Sequence, residues 1–403
     1  VTHDAFIYEA IRTPRGKATP TGGLAQHSSI DLVVLLLQEL AKRVDLDPAG
    51  VDDVVLGAAR QHFDQGSNIA RVAPLMAGWP ESVPGATISR ACASGLEALN
   101  TAVARVKADD ASLIVSGGVE SLSRVPMFSE NSPLWNDPEV INTVGAVHMG
   151  IAADVVATQE GFQREELDAF GLRTQQLAAQ AQADGRFARS LVPVPSKDGS
   201  SVLDRDEQVR PQTTLEQLAA LEPAFVERGA DGQDVIALSR FPEVGAIRHL
   251  HTRGTSPSLA DGAGLILVGD EAAGQRLGLR PRARVVASAA RAVNPVQMLT
   301  AGQDATAAVV EKAGLSLDDI DRFEFAEAFS ALCLRFQRDL KVGDDRFNVN
   351  GGTIAVGHAF GATGPFLVAN LIDELERCGG RYGVASISGA AGIGVATLVE
   401  RVQ

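Results

Sequence analysis

Two kinds of apolar pattern alternate along this chain. Asp31-Leu32-Val33-Val34-Leu35-Leu36-Leu37, continuing through Leu40-Ala41, has the density of a buried helix, and Gly95 to Val106 has helical spacing. Around them lie short apolar runs bounded by polar or small residues: Asp53 to Gly57, Ala86 to Ile88 and Ser112 to Gly118. Such runs predict buried strands. The far end repeats the plan, with a helix at Ala307 to Ala313 and strands at Arg322 to Phe325 and Val384 to Gly389. Gly262 to Gly269 reads as one more strand, returning to the first unit. Strands separated by helices predict a layered α/β fold.

Residues 123–249 break the pattern. Prolines recur (Pro126, Pro133, Pro138, Pro193, Pro195, Pro211, Pro223), and only Arg164 to Gln182 has a clear helical period. A large irregular insertion usually covers or shapes a binding site. The flanking parts resemble each other. Matching Asp53 to Asp319 gives an offset of 266 residues, which also sets Cys92 opposite His358 and Gly95 opposite Gly361. Two copies of one α/β unit follow: 1–122 with 250–276, and 277–403, with the insertion at 123–249.

A chain of 403 residues exceeds one ordinary core. No apolar run approaches the roughly 18 residues of a membrane span. Val1-Thr2-His3-Asp4-Ala5-Phe6 does not read as a secretory signal, nor Arg401-Val402-Gln403 as a peroxisomal tripeptide, so a cytoplasmic protein is expected. A net charge of −14 argues against nucleic acid or an anionic membrane as the main partner. It leaves room for an anionic cofactor held by a few arginines or a helix N-terminus. Cys92, Cys333 and Cys378 form no CxxC pair and no even framework, so neither a structural disulfide nor a metal site is expected.

Cys92, in Ser89-Arg90-Ala91-Cys92-Ala93-Ser94-Gly95-Leu96, falls where a strand ends and a helix begins. The unpaired N–H groups of a helix start lower a thiol pKa; most lone cysteines are nonetheless inert and buried. His358 sits in a glycine-rich run from Asn350-Gly351-Gly352 to Gly357-His358-Ala359-Phe360-Gly361, a poor setting for a packing histidine and a good one for close approach to a substrate. Matching positions in two repeats suggest a nucleophile and its activator. Cys333, between Leu332 and Leu334, reads as packing; Cys378 lies in a polar turn. The histidines other than His358 read mostly as surface residues.

These motifs resemble those of thiolases. Ala91-Cys92-Ala93-Ser94-Gly95-Leu96 is similar to the family's nucleophile motif, and Asn350-Gly351-Gly352 through Gly357-His358 to its histidine motif. Arg12-Thr13-Pro14, Gly117-Gly118-Val119-Glu120-Ser121-Leu122-Ser123 and His148-Met149-Gly150 follow family order, and the match runs from about residue 5 to the end. It is closest to bacterial acetyl-CoA acyltransferases (3-ketoacyl-CoA thiolases) of fatty-acid β-oxidation. The resemblance implies the five-layer αβαβα thiolase fold and acyl transfer between coenzyme A thioesters through an acyl-enzyme. By the same resemblance Cys92 is the nucleophile and His358 its activator. His148, Met149, Ser256, Ser258, Ala326 and Gly389 fall in the substrate-binding set. The coenzyme A thioester is substrate, with no permanently bound cofactor. A homodimer or homotetramer is implied, with a β-oxidation multienzyme partner.

The chain departs from the family at four places. The Asn-Glu-Ala-Phe motif reads Ala326-Glu327-Ala328-Phe329, so the amide that positions an oxyanion water is absent. The second catalytic cysteine falls at Ser388, a far poorer acid/base than a thiol. Ala359 replaces a proline, and Pro257 stands where a pantetheine serine is expected, beside Ser256 and Ser258. Three readings stay open on sequence alone. They are thiolase-type transfer, acylation followed by hydrolysis or transfer to an unusual acceptor, and a non-catalytic acyl-CoA-binding or partner subunit.

Overall fold

A computed structural model describes residues 3–402; Val1, Thr2 and Gln403 of the terminal motifs lie outside them. The strands are β1 (Phe6–Arg12), β2 (Gly16–Lys17), β3 (Asp53–Gly57), β4 (Gly85–Ile88), β5 (Leu113–Ser121), β6 (Val194–Pro195), β7 (Val202–Leu203), β8 (Ala260–Gly269), β9 (Ala283–Ala292), β10 (Arg322–Phe325), β11 (Tyr382–Gly389) and β12 (Ile393–Arg401). One sheet runs in the order β10-β11-β12-β9-β1-β8-β5-β3-β4, with β2 beside β8; β6 and β7 form a separate ribbon.

The sheet is two copies of one pattern. In the first half, β4 and β5 pair parallel to β3, β8 pairs antiparallel to β5, and β1 antiparallel to β8. In the second half, Phe347 bridges Phe323 in parallel where β4 would stand. Then β11 pairs parallel to β10, β12 antiparallel to β11, and β9 antiparallel to β12. Between β1 and β9, Phe6 with Arg284 and Ile7 with Ala283 join the halves, and an isolated bridge adds Leu259 with His358.

The layers follow from which faces are apolar. Ser29–Arg43 starts at a capping box of Ser28 and Asp31 and ends on Lys42 and Arg43, which suit the helix dipole. Its Leu32, Val33, Leu36, Leu37 and Leu40 pack on the outer face of the first half with Val54, Leu56 and Val115. Ala301–Lys312 covers the outer face of the second half through Ala305 and Val309. Between the halves lie Ser94–Lys107 and Phe360–Cys378, sharing a core with Ile114, Ile266, Ala385 and Val395. Five layers result: helix, sheet, helix pair, sheet, helix.

The central pair touches backbone to backbone. A Cβ on Gly95 would stand 2.2 Å from the Gly361 carbonyl oxygen, and one on Gly364 would stand 2.3 Å from the Leu96 nitrogen. Only glycine fits there.

The repeat is real, but its register differs from the sequence expectation. Asp52 accepts from the backbone N–H of Ser112 and Leu113, and Asp321 accepts from those of Arg381 and Tyr382, an offset of 269. Asp53 therefore answers Arg322, not Asp319. Cys92 and His358 each precede their central helix by two residues, so the offset of 266 holds at the site. The connections between strand and helix differ by three residues, which pairing two aspartates concealed.

Residues 123–249 hold more helix than expected. Met149–Gln159 has no visible period because eight of its residues, Gly150 to Ala157, are buried on every side. One window within Pro138–Gln159 does reach the hydropathy of a membrane span, contrary to expectation. It is divided between the helices Pro138–Val144 and Met149–Gln159, and most of it is buried.

Candidate active site

The turn between β4 and the first central helix is tight. Ala91 adopts φ +49°, a costly conformation for a residue with a Cβ, and Ser94 Oγ holds the turn by accepting from the Arg90 N–H and donating to the Ala91 carbonyl. Cys92 is thereby set at the helix start, half-buried against the central core that also holds Ala326.

His358 is fixed from three sides. Gly357 has φ +96°, and a Cβ there would lie 2.5 Å from Gln208 Nε2. The His358 N–H donates to the Ser258 carbonyl at 2.9 Å, and its carbonyl accepts from the Ala260 N–H at 3.2 Å. Its Nδ1 lies 2.8 Å from Thr363 Oγ1, and its ring stands edge-on to Phe360.

A third loop reaches the same place. A Cβ on Gly389 would stand 3.2 Å from that of Ala91, so the end of β11 abuts the Cys92 turn. Ser388, one residue earlier, is buried; its Oγ donates to the Leu299 carbonyl at 2.7 Å and accepts from the Gly302 N–H at 2.8 Å. Ala326 is buried beside Ser386, whose carbonyl accepts its N–H at 3.0 Å.

Glu120 ties the loops together. Its Oε2 accepts from the N–H groups of Ala59 and Gly361, and its Oε1 from Arg60 N–H and Gln65 Nε2. One buried carboxylate thus satisfies the start of the helix after His358 and the loop after β3. Arg60 lies over the Phe360 ring and pairs with Glu130 at 3.0 Å.

Electrostatics here runs against the expected thiolate. Burial pushes the Cys92 thiol up to about 12; Arg60 opposes this and the Glu120 charge adds to it. Burial, with the charge of Arg15, pushes the His358 imidazole down to about 3. Near neutral pH both groups are uncharged, because burial disfavours their ions more than the helix end favours them.

The remaining candidates are spread around this centre. His148 caps Met149–Gln159: its Nδ1 accepts from the Gly150 N–H, and burial with nearby Arg228 lowers its pKa to about 4. Its ring faces Phe225, which stands edge-on to Phe329. Met149 packs against the second core. Ser256 Oγ is committed to the Thr252 carbonyl, whereas Ser258 meets His358 only through its backbone. Cys333 is buried in the second core, and Cys378 is exposed.

Two histidines read as surface residues are buried, His27 and His251. His251 Nδ1 lies 2.7 Å from Asp154, a partner 97 positions away that local sequence cannot reveal. Sequence reasoning also gave no role to Glu120, although it stands in a motif singled out above, or to Thr363, two residues beyond the glycine-rich run of His358. A buried-type acid directly after Gly117-Gly118-Val119 was the available signal.

Comparison with known proteins covers nearly the whole chain. Residues 5–231 match the family description "Thiolase, N-terminal domain", and residues 279–401 match "Thiolase, C-terminal domain". A 3-oxoadipyl-CoA/3-oxo-5,6-dehydrosuberyl-CoA thiolase of Escherichia coli (strain K12) is 38% identical over 99% of this chain and 100% of its own. A 3-ketoacyl-CoA thiolase of Aliivibrio fischeri is 37% identical, covering 99% of each chain. Among solved structures, the acetyl-CoA acetyltransferase of Bacillus anthracis superposes with a TM-score of 0.86 at 32% identity, over 100% of this chain and 99% of that one.

Proposed function

The chain belongs to the thiolase family of acyltransferases, and from that premise we propose that Cys92 takes an acyl group from a coenzyme A thioester and hands it to a second acceptor. The observation that carries this reading is the convergence of the Cys92 turn, the His358 loop and the end of β11 around one pair of helix starts. His358 is the base. With Nδ1–H donated to Thr363 Oγ1, Nε2 keeps a lone pair for the Cys92 proton. Both groups start neutral, so the proton leaves sulfur as sulfur attacks the thioester carbon. The imidazolium then protonates the departing coenzyme A thiolate.

The carbon–carbon step is weakened. Both bonding directions of the Ser388 hydroxyl are taken, by Leu299 and Gly302, and Ala326 offers no amide to hold a water. These two positions favour transfer to sulfur or water over Claisen chemistry. His148, Met149, Ser258 and Gly389 are read as walls of the substrate path, and the unit boundaries given above belong to the same reading. The apolar window within residues 138–159 is mostly buried, as in a core helix and not a membrane span.

Mass spectrometry of the intact chain after exposure to acetyl-, long-chain acyl- and 3-ketoacyl-CoA tests the reading. One acyl group should appear, and Cys92→Ala should carry none. The rate should show no inflection near pH 6.5, because His358 is already neutral well below that value. Acylation elsewhere, or none by any ester, would sink the assignment.

The assembly reading rests on the edge of the sheet. β4 is an outer strand only partly covered, and Leu75 and Met76, on the helix beside it, are 41% and 58% exposed. An uncovered edge flanked by apolar side chains suits pairing with a second copy. Light scattering at micromolar concentration should give at least a dimer; a monomer would end this part.

A further inference from the structure

Beside the helix that His148 caps, the insertion carries a chain of alternating carboxylates and imidazoles. Asp154, fully buried on that helix, accepts at Oδ1 from the N–H groups of Leu250 and His251, at 3.1 and 3.0 Å, and from His251 Nδ1 at 2.7 Å. Its Oδ2 lies 3.1 Å from His249 Nδ1, and the other nitrogen of that ring, Nε2, lies 3.1 Å from Asp234 Oδ2. Asp234 makes no other side-chain hydrogen bond among the described residues.

The two rings differ in protonation. His251 Nε2 accepts from the Ala331 N–H at 3.4 Å, so its ring is neutral with the proton on Nδ1. His249 has a carboxylate at each nitrogen, and only the imidazolium can donate to both. The hydrogen bond to Asp154 raises the His249 pKa; burial works against it, and the charges of Asp154 and Asp234 add to the rise. Asp154 stays ionised: burial would raise its pKa, but the hydrogen bonds from His249 and His251 outweigh this. Other charges stand further along these elements. Arg228 and Asp231 border the turn before Asp234, Arg248 holds Gln163, and Asp168, paired with Arg164, stands near His251.

Asp234 opens the helix Asp234–Arg240, a lightly fastened part of the insertion in which only Ala237 is buried. The turn before it is kinked, with Gly232 at φ +99°, and Val226 and Val235 are 47% and 72% exposed. A Cβ on Gly229 would stand 2.7 Å from His249 Nε2, so this segment closes directly on the ring. It also backs His148. Gln233 Oε1 accepts from the His148 N–H at 2.6 Å, and the Phe225 ring lies against the His148 ring.

We propose, building on the acyl-transfer reading and its use of His148 on the substrate path, that His249 is a pH-operated clasp: its imidazolium ties residues 225–240 to the helix Met149–Gln159, and loss of one proton frees them. The proton that leaves is on Nε2, because Nδ1 faces the fully buried Asp154 whereas Asp234 is partly open to water. A lone pair then meets the Asp234 carboxylate, and attraction turns to repulsion. Because the folded pKa is raised, the tie is complete below the ordinary histidine value of about 6.5 and is lost as pH rises through His249's own value. The backing of His148 loosens with it.

Hydrogen exchange of the full chain without substrate, read on peptides from 225–240, tests this. After correction for the intrinsic chemistry of exchange, protection at about pH 9 should be about 10-fold lower than at about pH 6, as for loss of one charge-assisted bond. Asp234→Asn should remove the pH dependence, since an amide can meet Nε2 as acceptor or donor. His249→Asn keeps a donor toward Asp154 but falls short of Asp234, so it should exchange fast at both pH values. Equal protection of the parent at both, an undiminished pH dependence in Asp234→Asn, or slow exchange in His249→Asn would overturn the clasp. Calorimetry with hexanoyl-CoA on chains carrying Cys92→Ala reads the link to the substrate path. Over the same pH interval affinity should fall about 3-fold more without Asp234→Asn than with it; equal falls would overturn that link. Failure of the acyl-transfer reading would show separately, as no acyl group on the unmodified chain, while the exchange result stands by itself.

Discussion

Replacing Ala326 by Asn and Ser388 by Cys together should raise 3-ketoacyl-CoA cleavage by about 10²-fold or more. One oxyanion contact is commonly worth on the order of 10²–10³ in rate, and a positioned acid/base about 10²–10⁴. Groups acting on one transition state combine less than multiplicatively, so the lower end is expected. The structure explains why Ser388 is a poor substitute beyond its chemistry. Its hydroxyl is held between the Leu299 carbonyl and the Gly302 N–H, so it is a brace rather than a mobile proton carrier. A thiol bonds weakly to such groups and frees the proton. Steady-state cleavage rates of the parent and double variant decide the matter, with acylation of Cys92 as control. A parent already as fast as the variant would mean another group supplies the proton.

Glu120→Ala should be the most damaging single change outside the reacting groups. It would strand four donors, at Ala59, Arg60, Gln65 and Gly361, in a buried setting. Breaking a buried polar network of this kind costs about 3–5 kcal/mol. The urea midpoint should fall accordingly with an unchanged slope. The same change removes an anion that raises the Cys92 thiol, so chemical alkylation of Cys92 in the folded variant should be faster at a given pH. A stability loss under about 1 kcal/mol would show that water replaces the carboxylate.

What the sequence disclosed was what local order encodes. The strands at Asp53–Gly57 and Arg322–Phe325 were readable to the residue, because polar or glycine neighbours bound short apolar runs. The Cys92 junction was readable because a strand, a turn and a helix follow one another there. His358 lies between the short helix Thr353–Val356 and the helix Phe360–Cys378, with no strand before it, and only its glycine-rich surroundings marked it. The strands β1, β9 and β12 passed unnoticed: Glu9 breaks the apolar run of β1, and the alanines and Ser288 of β9 give a weak strand signal, but Ile393 to Val399 of β12 was apolar enough to have been read. Met149–Gln159 was hidden by the opposite cause, burial on all sides. The protonation states of Cys92 and His358 were beyond reach, since they depend on enclosure by groups from distant parts of the chain.

The bare-backbone contact of Gly95 with Gly361 has a consequence for the chain during its synthesis. The two partners are 266 positions apart, so the surface of the first central helix stays uncovered until the last part of the chain emerges. On the proposed mechanism Cys92 lacks its base until then. A ribosome carrying most of this protein therefore carries Cys92 as an ordinary thiol, and base-assisted acyl transfer is open to it only once residues near 358 have emerged and folded. The long separation of the proposed pair makes catalysed transfer a property of the finished chain.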